Sequence, residues 1–172
     1  MPYPTWSVGQ RVTASLLTAM QPVTVVKSAN TSRASTTTLA SDPHLVVPVS
    51  ASATYLLDGF LEYDGNFGGT GDLKLDWTLP SGATIRWAAL GNASGDTTQK
   101  YASTSAAAGT TLSVGTYGVA GAGGVRNVAS PRGYLTVAGT AGNITLRWAQ
   151  QSSHATATTL YAGSWIRLLR QT

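Results

Sequence analysis

The chain of 172 residues contains no cysteine, which excludes both disulfide bridges and thiolate metal sites. Charged residues are also scarce, at 10% of the sequence, whereas ordinary soluble domains have about a quarter. Serine, threonine, alanine and glycine take their place. Because charged groups are depleted where subunits pack together, this composition predicts a neutral, hydroxyl-rich surface that contacts other proteins.

Long hydrophobic runs are missing as well. No stretch approaches the roughly 20 apolar residues that a membrane-spanning helix needs. Residues 1–10 also lack the basic region and the apolar run of a secretory signal. We therefore expect neither membrane insertion nor export through a signal peptide.

Acidic residues are fewer than basic ones, 7 against 11, which gives a formal net charge of +4. A nucleic-acid-binding protein would gather its basic residues in one segment or on one face. Here the lysines and arginines are spread from Arg11 to Arg170, so we expect no nucleic-acid partner. A mildly basic surface still favours contact with an acidic partner or a cell envelope.

The titratable residues offer little for catalysis or metal binding. Asp58, Glu62 and Asp64 share strand parity and could lie on one face, as a glycosidase pair or a Ca²⁺ site requires. A solvated strand face or ion pairs between subunits is the simpler interpretation. His44 and His154 lie in loop-like segments, and no Gly-x-Ser-x-Gly elbow accompanies them. We expect no catalytic residue, no cofactor and no metal, and hence no enzyme.

The first 22 residues differ from the rest and predict a short helix. Thr13 can cap a helix over residues 14–20, and Pro22 ends it because proline lacks the backbone donor. A helix this short needs something to pack on, so it could cap its own domain or insert into a neighbour. We call residues 1–22 the attachment segment. Its expected apolar anchors are Trp6, Leu16, Leu17 and Met20.

From residue 23 onward, short runs with period-two alternation are broken by Gly, Pro, Asn and Asp. Leu73, Leu75 and Trp77, for example, alternate with polar residues. Such alternation buries one face of a strand and wets the other, which is typical of antiparallel sheets. The predicted strands are Val23–Lys27, Leu45–Val49, Thr54–Tyr63, Asp72–Leu79, Thr84–Leu90, Thr97–Ser103, Thr111–Tyr117, Gly133–Val137, Asn143–Gln150 and Ser164–Leu169.

These strands, with no helices between them, predict one all-β domain over residues 23–172. We expect an antiparallel two-sheet β-sandwich of the jelly-roll type, with the short N-terminal helix outside it. A closed barrel has the same periodicity and stays open as an alternative. The alternation around Trp77, Trp87, Trp148 and Trp165 predicts core positions for these four tryptophans.

Residues 115–124 form a glycine-rich stretch. It lacks a Gly-Lys-Ser/Thr motif and no helix pattern follows, so a phosphate-binding loop is not expected. Loops at the edge of a sandwich often carry recognition. Our candidates for surface recognition are Tyr101, Tyr117 and Arg126, which lie in or near this stretch. A host envelope glycan stays open as a partner of the protein.

The start of the chain contains a spaced pattern made of Trp6, Gly9, Val12–Ala14 and Leu17. Further distinctive segments are residues 27–39, 42–45, 55–64, 71–75, 147–150 and 162–168. Together these stretches resemble a family of small proteins encoded near the tail genes of phages that infect actinobacteria. The resemblance covers nearly the whole chain and is weakest over residues 91–132.

The resemblance implies a non-enzymatic virion structural protein of minor tail or fibre type, assembled in the host cytoplasm. It implies partners among the other virion proteins. Analogy with other viral jelly rolls implies a homotrimer. Two alternatives stay open: a capsid decoration or head-fibre protein that stabilises the shell, and a carbohydrate-binding adhesin.

Overall fold

The computed structural model describes residues 7–66, 71–92, 101–102, 105–116 and 126–171. The elements in this part of the chain are one short helix and a series of β-strands. They are α1 (Ala14–Met20), β1 (Val23–Val26), β2 (Thr31–Arg33), β3 (Ala40–Val49), β4 (Ala53–Asp64), β5 (Leu73–Thr78), β6 (Thr84–Asn92), β7 (Tyr101–Ala102), β8 (Ser105–Ala107), β9 (Leu112–Val114), β10 (Asn127–Val137), β11 (Gly142–Gln150), β12 (Thr158–Leu160) and β13 (Trp165–Arg170).

The strands form two stacked antiparallel sheets. The large sheet has the order β1-β13-β4-β10-β6-β7, and β8, β12 and β2 pair beside this path. The small sheet has the order β3-β11-β5-β9. The predicted two-sheet β-sandwich with a short N-terminal helix is therefore confirmed, and the described strands do not close into a single barrel.

Helix α1 has the bounds that the sequence predicts. The Thr13 hydroxyl accepts a hydrogen bond from the backbone N–H of Leu16 at 3.3 Å, as an N-cap does. The backbone of Gln21 is extended, because the residue before a proline is pushed out of the helical region, and the helix ends there. In the part of the chain that the structure describes, no helix is long and apolar enough to cross a membrane.

The strand predictions fail where the alternation is short or interrupted. β2, β8 and β12 were not predicted, because three residues carry almost no periodic signal. β10 begins at Asn127 rather than at Gly133, since Pro131 and neighbouring polar residues mask its pattern. β3 begins at Ala40 rather than Leu45. Residues 97–100, 103 and 117 of two predicted strands lie outside the described residues.

Successive long strands lie in opposite sheets. β3, β5, β9 and β11 belong to the small sheet, whereas β4, β6, β10 and β13 belong to the large one. The long strands therefore pair with partners distant in sequence, such as β4 with β10 and β3 with β11. Neither sheet can grow from local hairpins alone, which predicts slow folding.

Alternating side chains from both sheets fill the interior. Tyr55, Leu57 and Leu61 of β4 point inward and are buried. Trp77 of the small sheet meets Trp87 of the large sheet edge to face, with ring centroids 5.7 Å apart and planes at 84°. Edge-to-face contact is a favoured geometry for aromatic pairs, so this contact helps to hold the two sheets together.

Three of the four tryptophans expected in the core are buried there, but the prediction for Trp165 is wrong. Trp165 is half-buried and points away from the small sheet, on the same side of β13 as Arg167. The reason is strand parity. Ile166 and Leu168 take the inward positions of β13, so the residues between them face outward.

A buried ion pair joins the two sheets. Lys27, which follows β1, places its ammonium 2.7 Å from the carboxylate of Asp42 in β3, and both side chains are 0% exposed. The same ammonium donates to the Thr31 hydroxyl at 2.7 Å. Breaking such a pair by removing one partner is costly, because the other charge stays buried without compensation.

The carboxylate of Asp42 is surrounded by donors. It accepts the indole N–H of Trp148 at 3.0 Å and the backbone N–H of His44 at 2.9 Å, besides the ammonium of Lys27. Burial alone would raise the pKa of Asp42. The hydrogen bonds from Lys27, His44 and Trp148 outweigh burial, so the pKa of Asp42 lies below its ordinary value.

Arg33 of β2 strengthens the same end of the sandwich. Its guanidinium lies 4.0 Å from the centroid of the Trp148 ring and donates to the carbonyl oxygen of Trp148. It also donates to the carbonyl oxygens of Ala40 at 2.8 Å and Ser41 at 3.0 Å. One side chain therefore binds β2 to both β3 and β11 of the opposite sheet.

The backbone of β10 at Gly133 lies too close to β6 to leave room for a side chain. A Cβ there would lie 2.6 Å from the carbonyl oxygen of Arg86 and 2.8 Å from Cβ of Trp87. We expect Gly133→Ala to lower the free energy of unfolding by about 1–3 kcal/mol, measured by urea denaturation. Gly139→Ala is the control, because nothing lies within 4 Å of its Cβ. Equal stability of the two variants would contradict the close packing of β10 on β6.

Asp42→Asn tests the buried ion pair. At pH 7 we expect a loss of about 3–5 kcal/mol in the free energy of unfolding, since Lys27 stays buried without its counter-ion. The pKa of Asp42 is lowered by folding, so its contribution is present above about pH 4 and is lost as the pH falls through the folded pKa. The free energies of unfolding of wild type and Asp42→Asn, measured by urea denaturation at a series of pH values, should therefore become similar in acid.

The control for Asp42→Asn is Glu62→Gln, which removes a partly exposed carboxylate paired with Arg126. Exposed pairs contribute little, so we expect a loss below about 1 kcal/mol. A difference between wild type and Asp42→Asn that stays constant from pH 7 into acid would contradict the assigned role of the carboxylate.

Candidate functional site

The attachment segment leaves apolar side chains outside the sandwich. Leu17 is 51% exposed, and Leu16 and Met20 are only partly buried. Val12, just before α1, is also exposed. Trp6, the fourth predicted anchor, lies outside the described residues. An exposed leucine on a helix of seven residues contributes nothing to the core of its own domain.

A shallow cleft separates α1 from the end of the sandwich. Thr18 and Gln21 border it on the helix side, and Pro48, Tyr55 and Leu168 border it on the sandwich side. Leu17 does not line this cleft. Leu16 and Met20 are less exposed than Thr18 and Gln21, but no described side chain of α1 belongs to the hydrophobic core, and the side chain of Leu17 stays open to solvent.

A second surface lies on the large sheet. We call the outward side chains of β13, β4, β10 and β6 the outer face. Leu169, Leu56 and Tyr134 are neighbours there, because Leu169 pairs with Leu56 and Leu56 pairs with Tyr134. They are 37%, 44% and 47% exposed. A sheet face that stays open to water is normally polar, so this apolar row is unusual.

A row of charges runs beside the apolar row. Asp58 of β4 accepts a hydrogen bond from Arg167 of β13 at 2.6 Å. On its other side, Asp58 lies 3.8 Å from the guanidinium of Arg132 of β10. The guanidinium of Arg167 also lies 5.5 Å from the ring centroid of Trp165. Asp58 and Arg167 are therefore compensated within the subunit, whereas exposed Arg86 of β6 adds a further positive charge to the outer face.

Arg126 is held at the surface by two partners. Its guanidinium contacts the carboxylate of Glu62 at 2.9 Å and lies 3.8 Å from the ring centroid of Tyr161. Tyr161, between β12 and β13, was not a sequence candidate, because no local signal links it to residue 126. Tyr117 lies outside the described residues, and of Tyr101 only the backbone in β7 is described. The described residues thus show the surroundings of Arg126 alone, and surface recognition by this group stays a prediction.

The three carboxylates of β4 differ in burial. Asp58 and Glu62 are partly exposed and pair with arginines. Asp64 is 5% exposed and accepts the backbone N–H of Gly65 at 2.8 Å. Among the described residues, no group of three or more acidic or histidine side chains could hold a metal ion.

The two histidines make separate local contacts. His44 Nδ1 lies 3.0 Å from the hydroxyl of Ser28, but the nearby carboxylate of Asp42 binds the backbone N–H of His44 and not its imidazole. His154 Nδ1 accepts the backbone N–H of Thr156 at 3.0 Å. The Asp42 carboxylate therefore does not orient His44 as a catalytic triad requires.

No protein-family model matches the chain, and no curated protein matches it. Two solved structures of infectious bursal disease virus, from its Gt and Gx strains, are 16% and 14% identical over 88% of this chain. The TM-scores are 0.23 and 0.21, and the chain spans 41% and 43% of those viral chains. A structural similarity this low does not establish a shared fold or a shared function.

The N-cap of α1 can be tested apart from the sandwich. We expect Thr13→Ala to destabilise the helix by about 1 kcal/mol, because the Leu16 N–H loses its partner. Hydrogen exchange of α1 should accelerate, while the free energy of global unfolding stays unchanged. Thr18→Ala is the control, since its hydroxyl only donates back to the Ala14 carbonyl oxygen. A large loss of global stability in Thr13→Ala would show that α1 belongs to the core.

Proposed function

We propose that this chain is a non-enzymatic structural protein of a virus particle, an oligomeric β-sandwich appendage of minor tail or fibre type. The attachment segment binds the particle, and the sandwich over residues 23–172 projects from it. The observation that carries the proposal is the exposed Leu17 on a helix whose described side chains take no part in the hydrophobic core. The sequence resemblance to virion proteins of actinobacterial phages supports it.

The attachment role follows from how little α1 contributes to its own domain. Seven residues form a marginal helix unless tertiary contacts support it. Here the Thr13 cap supports it locally, and the apolar side chain of Leu17 lacks cover. Docking on a particle protein buries this leucine, with a gain of about 1.5–3 kcal/mol for a fully buried side chain.

Association of several copies follows from the surface. Charged residues are 10% of the chain, and the outer face carries an apolar row. A homotrimer is what the resemblance implies. Several copies held side by side strengthen weak contacts with a host envelope by raising the effective concentration of each site.

A capsid decoration protein is the second candidate, because the same features suit a protein that bridges shell subunits. It would stabilise the shell by binding only its assembled state. The adhesin alternative has one supporting feature, the Arg126 guanidinium stacked on Tyr161 beside Glu62. An aromatic ring with flanking charged groups is able to contact a glycan, as the third candidate requires.

Particle assembly with variant chains tests the attachment segment. Deleting residues 1–22 should leave a folded sandwich that no longer joins particles. Leu17→Lys should reduce incorporation at least about tenfold, because burial at the contact would strip the lysine ammonium of its hydration at a high cost in free energy. Val26→Lys is the control, since Val26 is 57% exposed on β1 and lies outside the segment.

Normal incorporation of the truncated chain would overturn the attachment role. Copy number separates the two virion candidates: a few copies per particle favour the tail, and on the order of hundreds favour the shell. If the wild-type chain is not incorporated into particles either, the proposed function is overturned altogether.

A further inference from the structure

Two neighbouring strands of the large sheet, β10 and β6, carry a patch that combines positive charge, hydroxyl groups and one aromatic ring. Its members are exposed and point to the same side of the sheet: Thr84, Arg86, Arg132, Tyr134 and Thr136. Tyr134 pairs directly with Arg86, and Thr136 pairs directly with Thr84. We call these five residues the arginine–tyrosine patch.

The strand register sets the spacing within the patch. Directly paired side chains lie about 5 Å apart at Cβ, which is the separation expected for Tyr134 and Arg86. Arg132 pairs with Ala88, two residues along β6 from Arg86, so the two arginines are diagonal neighbours about 7–8 Å apart. Both guanidiniums are therefore within reach of a ligand that lies on the Tyr134 ring.

The two arginines of the patch have little negative charge to neutralise them. Asp58 lies 3.8 Å from Arg132 but binds Arg167 more closely, at 2.6 Å. The side chain of Arg132 stays 66% exposed. Among the described residues, no carboxylate pairs with Arg86. The patch therefore keeps positive charge that an anion from another molecule can compensate.

The described part of a second copy of this chain offers no carboxylate that suits the patch. Of the 7 acidic residues, all but Asp96 lie within the described ranges. Each of these is either buried or already paired with an arginine at the surface. The buried ones are Asp42, Asp64, Asp72 and Asp76, and the surface pairs use Asp58 and Glu62. The anion that compensates the patch therefore comes from a different kind of molecule.

We propose that the arginine–tyrosine patch binds an acidic polysaccharide, a glycan whose sugar rings carry carboxylate groups. Arg86 and Arg132 each donate to a carboxylate of the glycan, because the planar guanidinium matches the two oxygens of that group. The apolar face of a sugar ring packs on the ring of Tyr134. The hydroxyl groups of Thr84 and Thr136 exchange hydrogen bonds with sugar hydroxyls.

The composition of the patch favours a glycan over a nucleic acid. A surface for single-stranded nucleic acid follows the backbone with a basic groove and stacks successive bases on aromatic rings. The patch has two arginines and a single aromatic ring, and its remaining members carry hydroxyl groups. Sparse charge, hydroxyl groups and one ring correspond to a chain of sugars with spaced carboxylates.

The backbone under the patch is held in place. β10 pairs with β4 on one side and with β6 on the other, so the strand is hydrogen-bonded along both edges. A backbone that is already ordered lowers the entropy cost of binding. The patch therefore needs only side-chain adjustments to receive a ligand.

Isothermal titration calorimetry of the purified full chain with oligogalacturonate, a carboxylated glycan, tests the patch. Wild type should bind at low ionic strength, and its affinity should fall as salt is added, because exposed charges are screened. Arg86→Ala and Arg132→Ala should each weaken binding about fivefold, as expected for loss of an exposed ion pair. Arg11→Ala is the matched control, since it removes the same charge from an exposed site outside the patch.

Two further ligands separate the chemistry of the partner. Maltodextrin, a neutral glycan, should not bind measurably, and a single-stranded oligonucleotide should bind more weakly than oligogalacturonate. Tyr134→Ala should weaken binding of oligogalacturonate although it removes no charge. Circular dichroism checks that each variant folds, and Arg86→Ala decides the test if another variant does not fold.

Wild type that does not bind oligogalacturonate overturns the inference. An equal loss of affinity in Arg11→Ala, equal binding of maltodextrin or tighter binding of the oligonucleotide also overturns it. The inference goes beyond the proposed function and does not depend on it. None of these results bears on attachment to a particle, so the proposed function can fail or stand separately.

Discussion

The large sheet depends on β4, which pairs with β13 on one side and with β10 on the other. Its inward residues, among them Tyr55, Leu57 and Leu61, supply the centre of the core. Its outward residues include Leu56 and Phe60, so the strand is apolar on both faces. Parity allows each side chain only one face. The small sheet covers one face of β4, and the other face forms part of the outer face of the sandwich.

Ion pairs within the subunit use most of the few acidic side chains of the described chain. Asp42 is used in the pair with Lys27, and Asp58, Glu62 and Asp76 each lie within 4 Å of an arginine. Most carboxylates of the described chain therefore have basic partners within the same subunit. Exposed Arg86 of β6 lies outside these pairs, and the full sequence has a formal net charge of +4.

Local signals made part of this structure predictable. The bounds of α1 follow from Thr13 and Pro22, which act on neighbouring backbone groups, and the longer strands follow from their alternation. Long-range contacts were not predictable. Nothing in the sequence indicates that Lys27 meets Asp42, or that Arg126 stacks on Tyr161, because those contacts depend on how the sheets stack.

Side-chain direction was the weakest inference from sequence. An alternation fixes that two neighbouring residues point to opposite faces, but not which face is inside. Trp165 was therefore expected in the core, whereas the small sheet covers Ile166 instead. The same ambiguity hid the apolar row of the outer face. Leu56 and Leu169 look like core residues in sequence, and only the stacking of the sheets shows that they are exposed.

The proposed role depends on the attachment segment, whose exposed Leu17 should bind a protein of the particle. Electron cryo-microscopy of intact particles that contain the chain tests this role. We expect density in which the attachment segment contacts a particle protein and the sandwich projects from it. An attachment segment that contacts no other protein would contradict the proposed role.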